Sequence, residues 1–175
     1  RLLLLFLLVA ASAAYLGGLA TEEISGRAVA VDGDSLRIDG RDIRLRGIDA
    51  PEFGQVCQDA QGADYNCGDR ARRALSRLIG QGTIRCESAQ LDRFGRTLAL
   101  CFAGGEGPSI NEMMVRQGWA VDYGDFPGVE QNARNDKRGL WAGRFETPRA
   151  FRANRGDAVG STWLSGLFRL GGDDE

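Results

Sequence analysis

Three acids and an arginine crowd one short stretch of the sequence. Asp34 lies in Val31-Asp-Gly-Asp-Ser35, and Arg44, Asp49 and Glu52 lie in Arg44-Leu-Arg-Gly-Ile-Asp-Ala-Pro-Glu52. The glycines and the proline among them fix the backbone that carries the acids. Carboxylate ligands without nitrogen or sulfur suit a hard cation such as calcium. Acids beside a guanidinium also suit a site that holds a phosphate and keeps a base, because arginine meets phosphate oxygens two at a time. Taken singly, each piece has a plain structural reading. Asp32-Gly33-Asp34 is a turn, Asp49-x-Pro-Glu52 a loop with a capping acid, Arg44 a solvated strand residue, and Asp92-Arg-Phe-Gly-Arg96 a hairpin loop.

The sequence has no histidine. A Ser-His-Asp triad, a Cys-His pair, a His-ligated zinc and a histidine acid are therefore all excluded. Acid–base work falls to carboxylates, lysine, tyrosine or water. The 175 residues carry 22 basic and 24 acidic side chains, a formal charge of −2. Without the terminal Asp173, Asp174 and Glu175 the balance is 22 against 21. Such a balance argues for a local basic site and against a broad basic surface that coats nucleic acid.

Short strands must position these groups. Segment 24–31 reads as a strand and Asp32-Gly33-Asp34 as a turn; Ser35–Ile38 reads as a second strand, ended by the hairpin signal Asp39-Gly40. Segment 42–46 is a third strand, with Ile43 and Leu45 on one face and Arg44 and Arg46 on the other. A loop with Pro51, Gly54 and Gly62 leads to a helix over 69–78, capped by Asp69, with Ala71, Leu75, Leu78 and Ile79 on one face. Segments 83–88 and 97–102 read as two more strands. Ser109-x-x-Glu112 is a capping box that opens a second helix, and a third runs over 129–138. The pattern predicts an α+β, mainly β chain: a five-stranded Greek-key barrel of the OB type with three short helices.

Arg1 and the uncharged run from Leu2 to Ala20 read as a secretory signal, with Ala11-Ser12-Ala13 as cleavage site, or as a retained membrane anchor. Either reading sends the folded part out of the cytosol, as a secreted, periplasmic or membrane-anchored domain. Domain boundaries follow: 1–20 signal or anchor, 22–153 folded domain, 154–175 flexible tail rich in Gly, Ser and Asp. Four cysteines, Cys57, Cys67, Cys86 and Cys101, allow three pairings. Their spacing does not resemble a zinc site. In an oxidising compartment two disulfides are expected, Cys57–Cys67 closing a surface loop and Cys86–Cys101 tying neighbouring strands. Four free thiols in a reducing cell is the alternative.

In order and together, these segments resemble the staphylococcal nuclease (thermonuclease) family over residues 24–152. The resemblance is carried by Val31-Asp-Gly-Asp-Ser, Ile43-Arg-Leu-Arg-Gly-Ile-Asp-Ala-Pro-Glu, Asp92-Arg-Phe-Gly-Arg, Met114-Val-Arg-Gln-Gly-Trp-Ala120, and Ala133-Arg through Gly139-Leu-Trp141. It implies that Asp34 and Asp49 are calcium ligands, with the Ala50 carbonyl as a third oxygen. It implies that Glu52 activates or orients the attacking water, and that Arg44 and Arg96 grip the scissile phosphate. Tyr123 corresponds to an aromatic residue flanking the nucleotide pocket. The chain departs from the family's founding member at Ala50 and Ser35, where that protein has threonine; the carbonyl ligand survives the first change, but a hydroxyl contact is lost.

The resemblance further implies a monomeric enzyme that hydrolyses DNA and RNA with calcium, cutting the bond from phosphorus to the 5′ oxygen and leaving 3′-phosphates. A nucleic-acid-binding OB module without catalysis is the alternative. Such relatives lack several of the acids or arginines, whereas all five side chains are present here.

Overall fold

The computed structural model describes residues 22–155, apart from Arg93. The proposed signal or anchor at 1–20, and all of the expected tail beyond residue 155, lie outside the described residues. Five strands close a barrel: β1 (Glu22–Ala30), β2 (Ser35–Ile38), β3 (Arg41–Leu45), β7 (Thr83–Leu91) and β8 (Thr97–Ala103), in the order β1-β2-β3-β8-β7. Neighbours run antiparallel except β3 and β8, which run parallel. Alternation explains the closure. Leu36, Ile38, Ile43, Leu45, Ile84, Cys86, Ala99 and Cys101 are buried, and each is separated from the next on its own strand by one residue that faces outward.

Two two-stranded additions escape the sequence reading. β4 (Ile48–Asp49) pairs with β9 (Val121–Asp122), and β5 (Val56–Gln58) pairs with β6 (Asp64–Asn66). Segments of two or three residues are too short to show a period. Both expected disulfides are present: Cys57–Cys67 joins β5 to the first turn of a helix, and Cys86–Cys101 joins directly opposed residues of β7 and β8.

Helix α1 (Cys67–Ile79) starts two residues earlier than expected. Its cap is Asn66, whose side chain accepts from the Asp69 N–H at 2.9 Å. Asp69 instead serves the first turn as an acid, paired with Arg72 and Arg73. α1 buries Ala71, Ala74, Leu75 and Ile79 against the barrel. Helix α2 (Ile110–Arg116) is capped by Ser109, as the capping box predicts, and α3 (Pro127–Asn135) lies against α2. A 3-10 turn follows at Gly139–Ala142.

A fourth helix at 148–155 corrects the expectation of three. Its start signal was in the sequence: Thr147 accepts from the Ala150 N–H through its hydroxyl, and Pro148 occupies the first helical position. Fully buried Asn111 joins α2 to the barrel. Its amide donates to the carbonyls of Arg46 and Ala99, and its oxygen accepts from Cys101 N–H at 3.0 Å.

Candidate active site

The turn between β1 and β2, the strand β3 and the short β4 bring the acids together. Asp34 ends the turn and is buried, as is Asp49 at the end of β4. Arg44 stands opposite Ser35 in the β2–β3 ladder, so its guanidinium reaches Asp34. Arg44 Nη1 donates to Asp34 Oδ1 at 3.0 Å, while Nη2 lies 2.9 Å from Asp34 Oδ2 and 3.0 Å from Asp49 Oδ1. The Ala50 N–H donates to Asp34 Oδ2 at 3.0 Å, and the Ser35 hydroxyl donates to Oδ1 at 3.1 Å.

Gly33 makes this approach feasible. A Cβ there would lie 2.6 Å from the methyl of Ala50 and 2.8 Å from that of Ala71. Ala50 is itself buried, so its small side chain sits in a tight seam between the Asp34 turn and α1.

Glu52 lies in the loop after β4 and is held by main-chain and side-chain contacts. Its N–H donates to Gln55 Oε1 at 3.1 Å, and its carbonyl accepts from Gln55 N–H at 2.9 Å. Gln55 is fully buried, and its amide nitrogen donates to the Glu146 carbonyl at 2.7 Å. Gly68 of α1 packs so closely that a Cβ would lie 2.0 Å from the Glu52 carbonyl oxygen.

The sequence reading missed one member. Arg152, on the helix at 148–155, donates to both oxygens of Asp49, at 3.0 and 2.9 Å, and to Glu52 Oε1. The charged groups thus form a chain, Asp34–Arg44–Asp49–Arg152–Glu52, with signs alternating along it. Nothing in the local sequence distinguishes Arg152 from other surface arginines. Only the helix start at Thr147-Pro148 placed it on an ordered element.

Among the described residues, neither Arg96 nor Tyr123 makes a hydrogen bond or ion pair with this cluster. Arg96 is engaged in its own loop: Nε donates to Asp92 Oδ2 at 2.7 Å, and its guanidinium lies 5.5 Å from the Phe94 ring centroid. The β3–β8 ladder pairs Arg44 with Leu98 and Ile43 with Thr97, which sets Arg96 beside Asp42, about 7 Å along the sheet from Arg44. Tyr123 is exposed, and its N–H donates to the Gly47 carbonyl at 2.8 Å, two residues before Asp49.

Burial pushes the Asp34 carboxyl up, to about 7, with the nearby Asp32 and Asp49 charges adding to the effect and Arg44 opposing it. The guanidinium of Arg152 is held above its ordinary value, chiefly by its hydrogen bonds to Asp49, with burial opposing and Glu52 adding. A buried acid that one arginine leaves under-compensated is a donor in need of positive charge. Two buried carboxylates and no soft ligand fit a hard divalent cation. No group of three or more acid or cysteine side chains stands ready to hold a metal among the described residues, so main-chain carbonyls and water must complete any coordination sphere.

Comparison with known proteins places the chain among nuclease homologues. The family model for the staphylococcal nuclease homologue matches residues 42–143. The chain is 37% identical to the succinoglycan biosynthesis protein ExoI of Rhizobium meliloti (strain 1021), across 78% of this chain and 74% of that protein. It is 35% identical to an uncharacterized endonuclease of Escherichia coli, across 72% of this chain and 82% of that protein. It is also 34% identical to the micrococcal nuclease of Shigella flexneri, across 54% and 58% respectively.

Proposed function

The chain belongs to the staphylococcal nuclease family, and from that premise we propose that it is a calcium-dependent nuclease that hydrolyses phosphodiester bonds in DNA and RNA. The observation that carries this reading is the buried Asp34–Arg44–Asp49 cluster with Glu52 tied to its rim. Membership itself supports a hydrolase of the endonuclease kind; the ion, the range of substrates and the residue roles are our assignment.

A phosphodiester is an anion and repels an incoming water oxygen. Asp34 and Asp49, with the Ala50 carbonyl, would hold the cation. Calcium bound there would supply positive charge to offset that of the phosphate. Glu52, about one-third exposed, orients the attacking water without any histidine. Arg44 and Arg96 bind phosphate oxygens; Arg44 has five N–H groups, and its side chain is one-fifth exposed. Negative charge grows in the pentacoordinate transition state, so these cations bind it more tightly than the substrate. Tyr123 flanks the nucleotide. Cleavage breaks the bond from phosphorus to the 5′ oxygen and leaves a 3′-phosphate.

The enzyme acts as a monomer outside the cytosol, a location that its two disulfides support. Segment 1–20 directs export or retains the chain at a membrane.

The test is cleavage of single-stranded DNA by the purified protein at mildly alkaline pH, with Ca2+ and with excess chelator. Cleavage that requires Ca2+ is expected. Intact DNA in both reactions would reject catalysis and favour a binding module.

A further inference from the structure

We propose that Arg152 is a third arginine of this site: a positioning residue that competes with the divalent cation for Asp49 and supplies positive charge for the substrate phosphate. The inference rests on the reading of Asp34 and Asp49 as cation ligands.

The geometry sets up the competition. Arg152 takes both oxygens of Asp49 in a bidentate pair, while Arg44 shares one of them. A cation that binds Asp49 must displace one of these guanidiniums or share oxygen with it. Arg44 is the more enclosed of the two, with its side chain 21% exposed and both flanking acids buried, whereas the Arg152 side chain is 41% exposed. Arg152 therefore has somewhere to go. Turning outward from Asp49 brings it to the rim, beside Glu52, where a phosphate and its attacking water would lie.

The helix at 148–155 is built to keep Arg152 within reach after it lets go. Gln55 binds the Glu52 N–H with its oxygen and the Glu146 carbonyl with its nitrogen. The Asn154 amide donates to the Glu146 carboxylate. The loop of Glu52 and the helix of Arg152 thus share the same anchor, and losing the Asp49 contact need not release the helix.

Counting charge gives the sign. With all three acids ionised, as cation binding requires, Asp34, Asp49 and Glu52 against Arg44 and Arg152 leave the cluster one negative charge. A divalent cation turns that to one positive, which a phosphodiester monoanion neutralises. Without Arg152 the same cluster would start at two negative, reach neutrality with the cation, and offer the phosphate no net attraction. Arg152 thus weakens cation binding and strengthens substrate binding. A purely structural ion pair has no such opposite signs: its loss would lower stability and leave cation affinity unchanged or reduced.

The experiment titrates the full chain with Ca2+ alone by calorimetry, for the unaltered protein, Arg152→Gln and Arg152→Lys. Arg152→Gln should bind Ca2+ about fivefold more tightly while its KM for single-stranded DNA rises about as much, since one unit charge near the site is removed in both cases. Arg152→Lys, which keeps the charge but not the bidentate grip, should fall between. Equal or weaker Ca2+ binding by Arg152→Gln overturns the proposal. Should that variant fail to fold, the NMR signal of the Arg152 guanidinium in the unaltered chain decides. Saturating Ca2+ should shift the Arg152 Nε–H resonance as the side chain leaves Asp49, and an unmoved resonance overturns the proposal. A chain that takes up no Ca2+ in any form removes the cation site itself, and this inference with it. Ca2+ binding that ignores Arg152 removes the inference alone.

Discussion

Arg96 sits in a loop whose acid already claims it. Asp92 Oδ1 accepts from the N–H groups of Phe94 and Arg96, and Oδ2 accepts from the Arg96 side chain. Burial works to raise the Asp92 carboxyl, but these hydrogen bonds outweigh it and hold the group below the ordinary range. A carboxyl depressed in the folded state adds stability above its unfolded value, about 3.9, and loses it as pH falls through the lower folded value. Denaturant unfolding measured from pH 6 to pH 2 should therefore show a shallower acid limb for Asp92→Asn than for the unaltered chain. For Glu52→Gln the neutral amide keeps the size and loses the charge. Its kcat should drop about 100-fold or more, with KM no higher than that of the unaltered chain, in steady-state cleavage assays. A variant within threefold of the original would show that Glu52 is not the group acting on water.

Two elements decide whether these side chains meet. Asn111 fastens α2 to β8 and to the carbonyl of Arg46, just ahead of the β4 strand that carries Asp49. Asn111→Ala leaves buried backbone groups without partners and should cost about 1–3 kcal/mol in urea unfolding. At the other end, Gly68→Ala forces α1 away from the Glu52 carbonyl, so it should lower both Tm and kcat. The barrel itself was legible in the sequence because most of its strand positions alternate between apolar and polar, with Asp-Gly and Gly-rich turns between strands. The acids at Asp34, Asp49 and Glu52 were legible because they are close in sequence and sit in a distinctive order. Arg152 was not, because its role comes from a contact across a separation of 103 residues, and local patterning carries no trace of such a contact. Gln55 was missed for a similar reason: a buried glutamine in a loop looks like any polar loop residue until its partners are known.

As a whole the molecule has little net charge, −2 over 175 residues, so affinity must come from a few placed cations. If Arg44, Arg96 and Arg152 are the phosphate contacts, the logarithm of binding to single-stranded DNA should fall against that of salt with a slope of about −2. A slope of about −5 or steeper would point to a wide basic track instead. The two disulfides act at the same scale. Each closes a short loop, with sequence separations of 10 and 15, and a 15-residue loop is worth about 3 kcal/mol. Reduction should lower Tm by at least several degrees on a scanning calorimeter.

The family match ends at residue 143 and begins at 42, so its boundaries leave out both Asp34 and Arg152. A gene trimmed to that span would still encode β3, β4, β7, β8 and the helices between them. It would yield a protein missing two of the barrel's five strands, one buried carboxylate of the cluster and the guanidinium that joins Asp49 to Glu52. A chain ended at Gly143 but begun normally would keep the closed barrel and still lack the Glu146 carbonyl that anchors Gln55. For anyone shortening this protein, the safe C-terminal limit is therefore set by a salt bridge, and it lies beyond Arg152.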